Sequence, residues 1–292
     1  MSHCIAMADD PRCASRDLRS GPAARTAILL GAALLFAVPA AFAGEGWEFS
    51  LGAGGFASSA YPGSDERFLA PVPMAKAAYS SGGFEASASV MEGLGLRYVD
   101  MEARVFASLG LNFGEKRGAE EFSAGLFSRR HDAETRSLLE GSPETESLLR
   151  AGLKLGWISP VGVVGASLDY HPTRVEGAGL EHGLLGSAFW LAPVPLSDRL
   201  TVTAMLALEA MDGAYAEAWH SVGAPTAELE AFEARAGLRS CLVFLGLDYA
   251  FAERWTASLV AANGFLLADA ARSPYTRSRY QPTFALTTAY AF

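Results

Sequence analysis

The chain has 292 residues, half of them apolar, and sets 32 acidic against 23 basic side chains. A net charge of −9 argues against nucleic acid as a partner, and three cysteines are too few for a disulfide-built fold. After residue 43 there is no run of about 18 apolar residues, which excludes helical membrane spans.

The first element is a targeting segment. Residues 26–43 read TAILLGAALLFAVPAAFA, preceded by Arg16, Arg19 and Arg25 and closed by Ala41-Phe42-Ala43. A basic stretch, an apolar stretch and a small-x-small site predict an export signal cleaved after Ala43. Residues 1–43 are therefore read as a signal peptide with an over-long N-terminal extension, in which Met7 is an alternative start. Residues 44–292 are read as one domain. Cys4 and Cys13 fall in the discarded part, so Cys241 is left without an intramolecular partner. From Gly44 onward 19 Lys and Arg face 29 Asp and Glu.

The rest of the chain has a period of two. Trp47, Phe49 and Leu51 alternate with Glu48 and Ser50; Phe84, Ala86, Ala88 and Val90 alternate with Glu85, Ser87 and Ser89. The same rhythm sets Leu149, Ala151, Leu153, Leu155 and Trp157 against Arg150, Gly152, Lys154 and Gly156. Side chains on a strand point alternately to its two faces, so each run predicts a strand with one apolar and one polar face. Candidate strands lie near 47–57, 69–79, 83–95, 97–111, 148–158, 161–171, 182–192, 199–211, 237–252, 255–266 and 281–292. That makes eleven, with a twelfth in 120–128 or 213–221, or ten if two weak runs are loops. Pro71 and Pro73 weaken the second run, because proline donates no ladder bond.

Most runs are long enough for a tilted strand to cross hydrocarbon, and aromatic residues collect at their ends. Only a closed barrel satisfies every backbone group in lipid without helices. The expected fold is all-β: an antiparallel transmembrane β-barrel of about 10–12 strands in contact with outer-membrane lipid. Ile158-Ser159-Pro160 and the stretch from Asp248 to Arg254 predict tight turns on the periplasmic side. Residues 112–147 hold 13 charged side chains in 36 positions and predict a long surface loop. Residues 224–235 suggest a short helical turn. The chain closes on QPTFALTTAYAF; Tyr290 and Phe292 continue the apolar face, so Phe292 is expected at the membrane interface.

Catalytic chemistry is thinly represented. His131, His171, His182 and His220 form no i, i+4 pair, and no nucleophile elbow or phosphate-binding glycine loop occurs. Glu217, His220 and Ser221 can be drawn as a hydrolytic triad, but adjacent strand residues face opposite sides. Neither catalytic residues nor a cofactor or metal site is assigned.

Two further stretches carry a resemblance. Ala60-Tyr61-Pro62-Gly63-Ser64 follows the first strand, and Ala268-Asp269-Ala270-Ala271-Arg272-Ser273-Pro274 precedes the last, which ends Tyr290-Ala291-Phe292. Leu139-Glu140-Gly141 leads into the run at 148, and Tyr215 to Val222 follows the run at 199. In this order they resemble the MipA/OmpV family, the MltA-interacting outer-membrane proteins. Trp219-His220 departs from the aromatic pair expected there. On the residues alone, Tyr61-Pro62-Gly63-Ser64 is turn chemistry, and Asp269 with Ser273-Pro274 shapes a hairpin loop that could order the rim near Tyr61. The resemblance implies a non-enzymatic scaffold for a murein hydrolase and a murein synthase, delivered by the outer-membrane insertion machinery through Phe292. A small porin or a surface adhesin is the alternative. Glu85, Glu92, Arg150 and Lys154 are candidates to line or plug a lumen.

Overall fold

Alternating side chains leave a strand one greasy and one wet face, and a sheet of such strands buries neither unless it closes. The computed structural model describes residues 45–124 and 127–292, so the signal segment lies outside the described residues. In chain order the elements are β1 (Gly46–Ser59), β2 (Arg67–Ser81), β3 (Phe84–Ser89), β4 (Gly93–Asp100), β5 (Val105–Phe113), β6 (Glu115–Arg117), β7 (Glu121–Ala124), β8 (Phe127–Arg130), α1 (Ala133–Leu139) and β9 (Thr145–Ser147). They continue as β10 (Leu149–Ser159), β11 (Gly162–Val175), β12 (Gly179–Ser197), β13 (Leu200–Met211), α2 (Gly213–His220), β14 (Gly237–Ala252), β15 (Trp255–Leu266), α3 (Ala268–Arg272) and β16 (Tyr280–Ala291).

Twelve of these strands, β1–β5 and β10–β16, pair antiparallel in sequence order and close through β1 against β16. The wall is thus a twelve-stranded barrel. The twelfth strand arises inside the expected runs 83–95 and 97–111. Each crosses a turn, at 90–92 and 101–104, so three strands stand where two were expected. The other sources for it are corrected. Residues 213–221 are mostly helix α2, capped by the Asp212 carboxylate, which accepts from the Tyr215 amide at 2.8 Å; Ala214, Ala216 and Ala218 favour that helix. The 224–235 stretch is not helical. Of 120–128, residues 121–124 and 127–128 belong to β7 and β8, outside the wall.

The connections 82–83, 101–104, 160–161, 198–199 and 253–254, all short, and both described chain ends lie at one end of the barrel; at the other, only 90–92 and 176–178 are short. The long ones (60–66, 114–148, 212–236 and 267–279) lie there too. In barrels of this kind the short turns face the periplasm and the long loops the exterior. Outside, Trp47, Tyr79, Phe84, Tyr98, Trp157, Tyr249, Trp255, Tyr290 and Phe292 ring the short-turn end. Trp47 meets Tyr79 at 5.3 Å, Phe84 meets Tyr98 at 4.6 Å and Trp255 meets Tyr290 at 5.2 Å. Phe265 and Tyr280, 5.4 Å apart, mark the opposite interface. Inside, Lys76 and Arg97 pair with Glu85 across neighbouring strands, and Arg150 lies 3.8 Å from Asp169. The candidate luminal charges Glu85 and Arg150 therefore do face inward.

The loop 114–148 is built by prolonging the wall. The register Phe113↔Leu149 continues unchanged as Lys116↔Glu146, so β5–β6 and β9–β10 are two bent strands. The bend needs Gly114: a Cβ there would lie 1.7 Å from the Ser147 carbonyl oxygen. Above it, β7 and β8 extend the sheet from β6, and Phe122 of β7 meets Phe68 of β2 at 4.9 Å. A folded cap thus crosses the long-loop mouth.

Candidate functional site

The cap is where the separated sequence motifs meet. Tyr61-Pro62-Gly63-Ser64 is a tight turn, closed by the Ser64 amide donating to the Tyr61 carbonyl at 3.0 Å. Gly63 has φ +105°, and its carbonyl accepts from the Arg277 and Ser278 amides at 2.8 and 2.9 Å. Any side chain at Gly63 would also strike Thr276. Tyr61 is buried, and its hydroxyl donates to the Tyr275 carbonyl at 3.3 Å. Burial pushes the Tyr61 phenol up to about 12. The first and last loops of the barrel are thereby tied together.

On the other side, Asp269 receives the Arg235 amide at 3.0 Å and an ion pair from Arg272. The Arg272 guanidinium, with that amide, holds the Asp269 carboxyl below its usual range. The Ser273 hydroxyl donates to the His220 carbonyl at 2.7 Å, and Pro274 follows it without a ladder to join. So the loop before β16 also grips α2.

Arg117 sits at the centre. It is 3% exposed and lies 3.8 Å from the Tyr275 ring centroid and 5.8 Å from that of Trp219. Its Nη1 donates to the Trp219 carbonyl at 2.6 Å and its Nη2 to Thr145 Oγ1 at 3.4 Å. One side chain therefore joins β6, β9, α2 and the loop before β16. Beneath it, Arg239 donates to Glu209 at 2.7 Å and lies 5.5 Å from the Tyr215 ring. Buried Glu115 faces Arg239, Arg150, Glu209 and Arg117, and burial raises its carboxyl to about 7. Periodicity marks Glu209 only as polar and Arg117 only as part of a charged loop. The signal that could have found this knot is the set of arginines beside aromatic residues in the loops.

The remaining candidate residues separate. Burial keeps His220 neutral, Glu217 is exposed, and the Ser221 hydroxyl accepts from the Ala234 amide at 2.9 Å. No side-chain hydrogen bond joins these three among the described residues; the Ser221 amide donates to the Glu217 carbonyl at 3.4 Å, which only caps α2. Those residues contain no cluster of three or more His, Cys, Asp or Glu able to hold a metal ion. Tyr290 and Phe292 lie at the far end, where the Phe292 amide donates to the Phe49 carbonyl at 2.9 Å. Their rings meet edge-on at 5.0 Å, and Phe292 is 65% exposed on the outer surface.

Exposure differs between the two ends of the lumen. Cap residues Phe122, Leu139, Tyr215, Trp219 and Tyr275 are at most 3% exposed. Lys76, Glu85 and Arg97, toward the short-turn end, keep 31%, 19% and 18% of their side-chain surface.

The fold is similar to the translocator domain of the autotransporter NalP from Neisseria meningitidis: TM-score 0.50 and 14% identity, covering 86% of this chain and 90% of that one. A COG4313 outer-membrane channel from Pseudomonas putida F1 aligns with TM-score 0.45 and 8% identity over 86% of this chain and 97% of its own. No curated protein matches the sequence. The family model described as MltA-interacting protein MipA matches residues 51–292, so the chain belongs to the MipA family.

Proposed function

We propose that this barrel is a capped, non-enzymatic interaction protein whose periplasmic face docks murein-remodelling enzymes. It is exported by a signal peptide cleaved near Ala43, and the insertion machinery reads Phe292. The observation that carries this reading is the asymmetry of the lumen. The exterior mouth is filled by a cap with a packed core of its own, whereas the luminal charges Lys76, Glu85 and Arg97, toward the short-turn end, keep part of their side-chain surface exposed. A passive pore for solutes would need that cap to leave. The family's description supplies the class of partner, an enzyme acting on murein.

The test places photo-crosslinkers at the periplasmic turns, at Gly82, Glu102, Val161, Arg199 and Glu253, in living envelopes. Enrichment of a lytic transglycosylase or murein synthase over other envelope proteins supports docking. Capture that is indifferent to position, or no murein enzyme at all, defeats it. Steady conductance of the purified wild-type barrel in planar bilayers would favour the porin alternative. An adhesin would give partners only from crosslinkers on the loops.

A further inference from the structure

The register of the wall assembles a polar row that no single strand shows. On six neighbouring strands, β3, β4, β5, β10, β11 and β12, the residues Glu85, Arg97, Ser108, Lys154, Ser167 and Ser187 stand side by side. They face the lumen, because Leu96, Leu109, Leu153, Leu155 and Leu168, which alternate with them, are exposed on the outer surface. The row climbs. Glu85 is the second residue of β3, beside the 82–83 connection; Lys154 is the sixth from the short-turn end of β10, and Ser187 the eleventh from that end of β12. It thus rises from the short-turn rim into the lumen.

The charges around this row do not cancel. Glu85 is shared by Lys76, at 3.4 Å, and Arg97. Glu92, on the β3–β4 turn, has Lys76, Lys154, Arg97 and Glu85 as charged neighbours, and Arg150 lies 3.8 Å from Asp169. Within the group, four cations (Lys76, Arg97, Arg150 and Lys154) meet three carboxylates (Glu85, Glu92 and Asp169), a surplus of one positive charge in a chain of net charge −9. Two of the chain's three lysines are here. Lys154 has Asp169, Arg150 and Glu92 nearby, yet its amine makes no ion pair or hydrogen bond among the described residues. A partly buried ammonium without a bonding partner is costly, and an anion beside it removes that cost.

The surplus sets the charge of the ligand. One unit matches a single carboxylate, whereas a phosphate monoester, at about −1.5 to −2, overshoots it. The register places Ser108 and Ser167 directly opposite Lys154 on its two neighbour strands, so the ammonium is flanked by hydroxyls that can both donate and accept. On the other six strands Phe56, Met205, Phe244 and Val260 point inward in one apolar cluster, each at most 7% exposed. With the cap over the exterior mouth, a ligand reaches the row from the short-turn side, past Lys76 and Arg97, whose charges steer an anion inward.

We propose that Lys154 binds the carboxylate of a small amino-sugar peptide of the muramyl-peptide class, with Ser108 and Ser167 taking its hydroxyl or amide groups. The carboxylate site stands on the geometry of the lumen. Naming murein as the source of the ligand rests on the docking reading above: enzymes that cut murein release such fragments, and the barrel would hold the product of the enzymes it docks.

Lysine acylation reads this site directly, because Lys76, Lys116 and Lys154 are the only lysines in the chain. Purified full-length protein in nanodiscs would be treated at mildly alkaline pH with a small water-soluble acetylating reagent, and each lysine followed by peptide mass spectrometry. N-acetylmuramyl-L-alanyl-D-isoglutamine, which carries one carboxylate, is expected to slow acetylation of Lys154 roughly tenfold or more and to leave Lys116, on the cap, unchanged. Its carboxamide derivative, acetate and glucose 6-phosphate at the same concentration should give no protection. By calorimetry Lys154→Gln should weaken binding by the same factor and Lys154→Arg should retain it, with heat-modifiable mobility on gels confirming that each barrel is closed. A Lys154 that stays unreactive in the free protein, no protection by the muramyl peptide, or unchanged binding by Lys154→Gln would overturn the site. Equal protection by acetate, the carboxamide or the phosphate would overturn the choice of ligand. Either failure leaves enzyme docking, which the crosslinkers test, where it stood.

Discussion

Replacing Arg117 by alanine should open the cap while leaving the barrel standing. The wild-type guanidinium donates two hydrogen bonds and lies over one aromatic ring, all in a dry core. Hydrogen bonds to a charged group contribute about 1.5–3 kcal/mol each, and a desolvated cation–π contact about 2 kcal/mol. Against that stands the cost of burying the charge, several kcal/mol, which the substitution removes. Alanine also strands the Trp219 carbonyl and leaves a cavity against Tyr275. The net loss works out near 4 kcal/mol, a rise in the open population of roughly a thousandfold. None of the twelve wall strands loses a ladder bond, so melting of the barrel should hardly change. Planar-bilayer recordings should show a silent wild type and frequent openings of Arg117→Ala. Arg117→Lys should fall between, because an ammonium keeps the charge but not the two-pronged geometry. An Arg117→Ala barrel that folds and stays silent would refute the cap as the closing element, and steady wild-type conductance would refute closure itself.

Three other outcomes follow from the same geometry. Glu115 has its folded pKa raised to about 7 from 4.5, so its contribution is fully present below pH 4.5 and is lost as pH rises towards 7. Cap protection from trypsin should therefore fall by roughly 3 kcal/mol across that window in the wild type, and Glu115→Gln should flatten the profile; an unchanged slope would show that another group titrates. Gly114→Ala puts a methyl where the Ser147 carbonyl stands and should unseat the cap at a cost of about 3 kcal/mol, read as new cleavage after Arg129 and Arg130. Deleting Phe292 removes one backbone bond to Phe49 and little else from the ladder, so folded stability should hold while assembly by purified insertion machinery slows. An equal slowing in bare liposomes would remove the machinery from that explanation.

The sequence by itself determined the wall. Period-two alternation is a local property, and in a barrel the local rule and the global surface agree: one face meets lipid, the other the lumen. Even the bounds of β14 and β15 coincide with the runs read from the residues, 237–252 and 255–266. Reading failed where alternation runs on through a turn, as at 90–92 and 101–104, since Gly93 and Arg104 break direction without breaking the pattern. Pro71 and Pro73 weaken a strand only if both its edges are paired; on the open edge of β2 they forfeit nothing. The turns around Tyr61 and around Ser273 were legible as turns, but not that the first loop receives the last. Only the closed tertiary structure decided that, because joining β1 to β16 brings residues more than 200 positions apart onto one rim. The cap knot has the same origin. Arg117, Thr145, Trp219 and Tyr275 have no periodic relation in the chain, and burial of one guanidinium among them exists only once three long connections share the barrel's mouth.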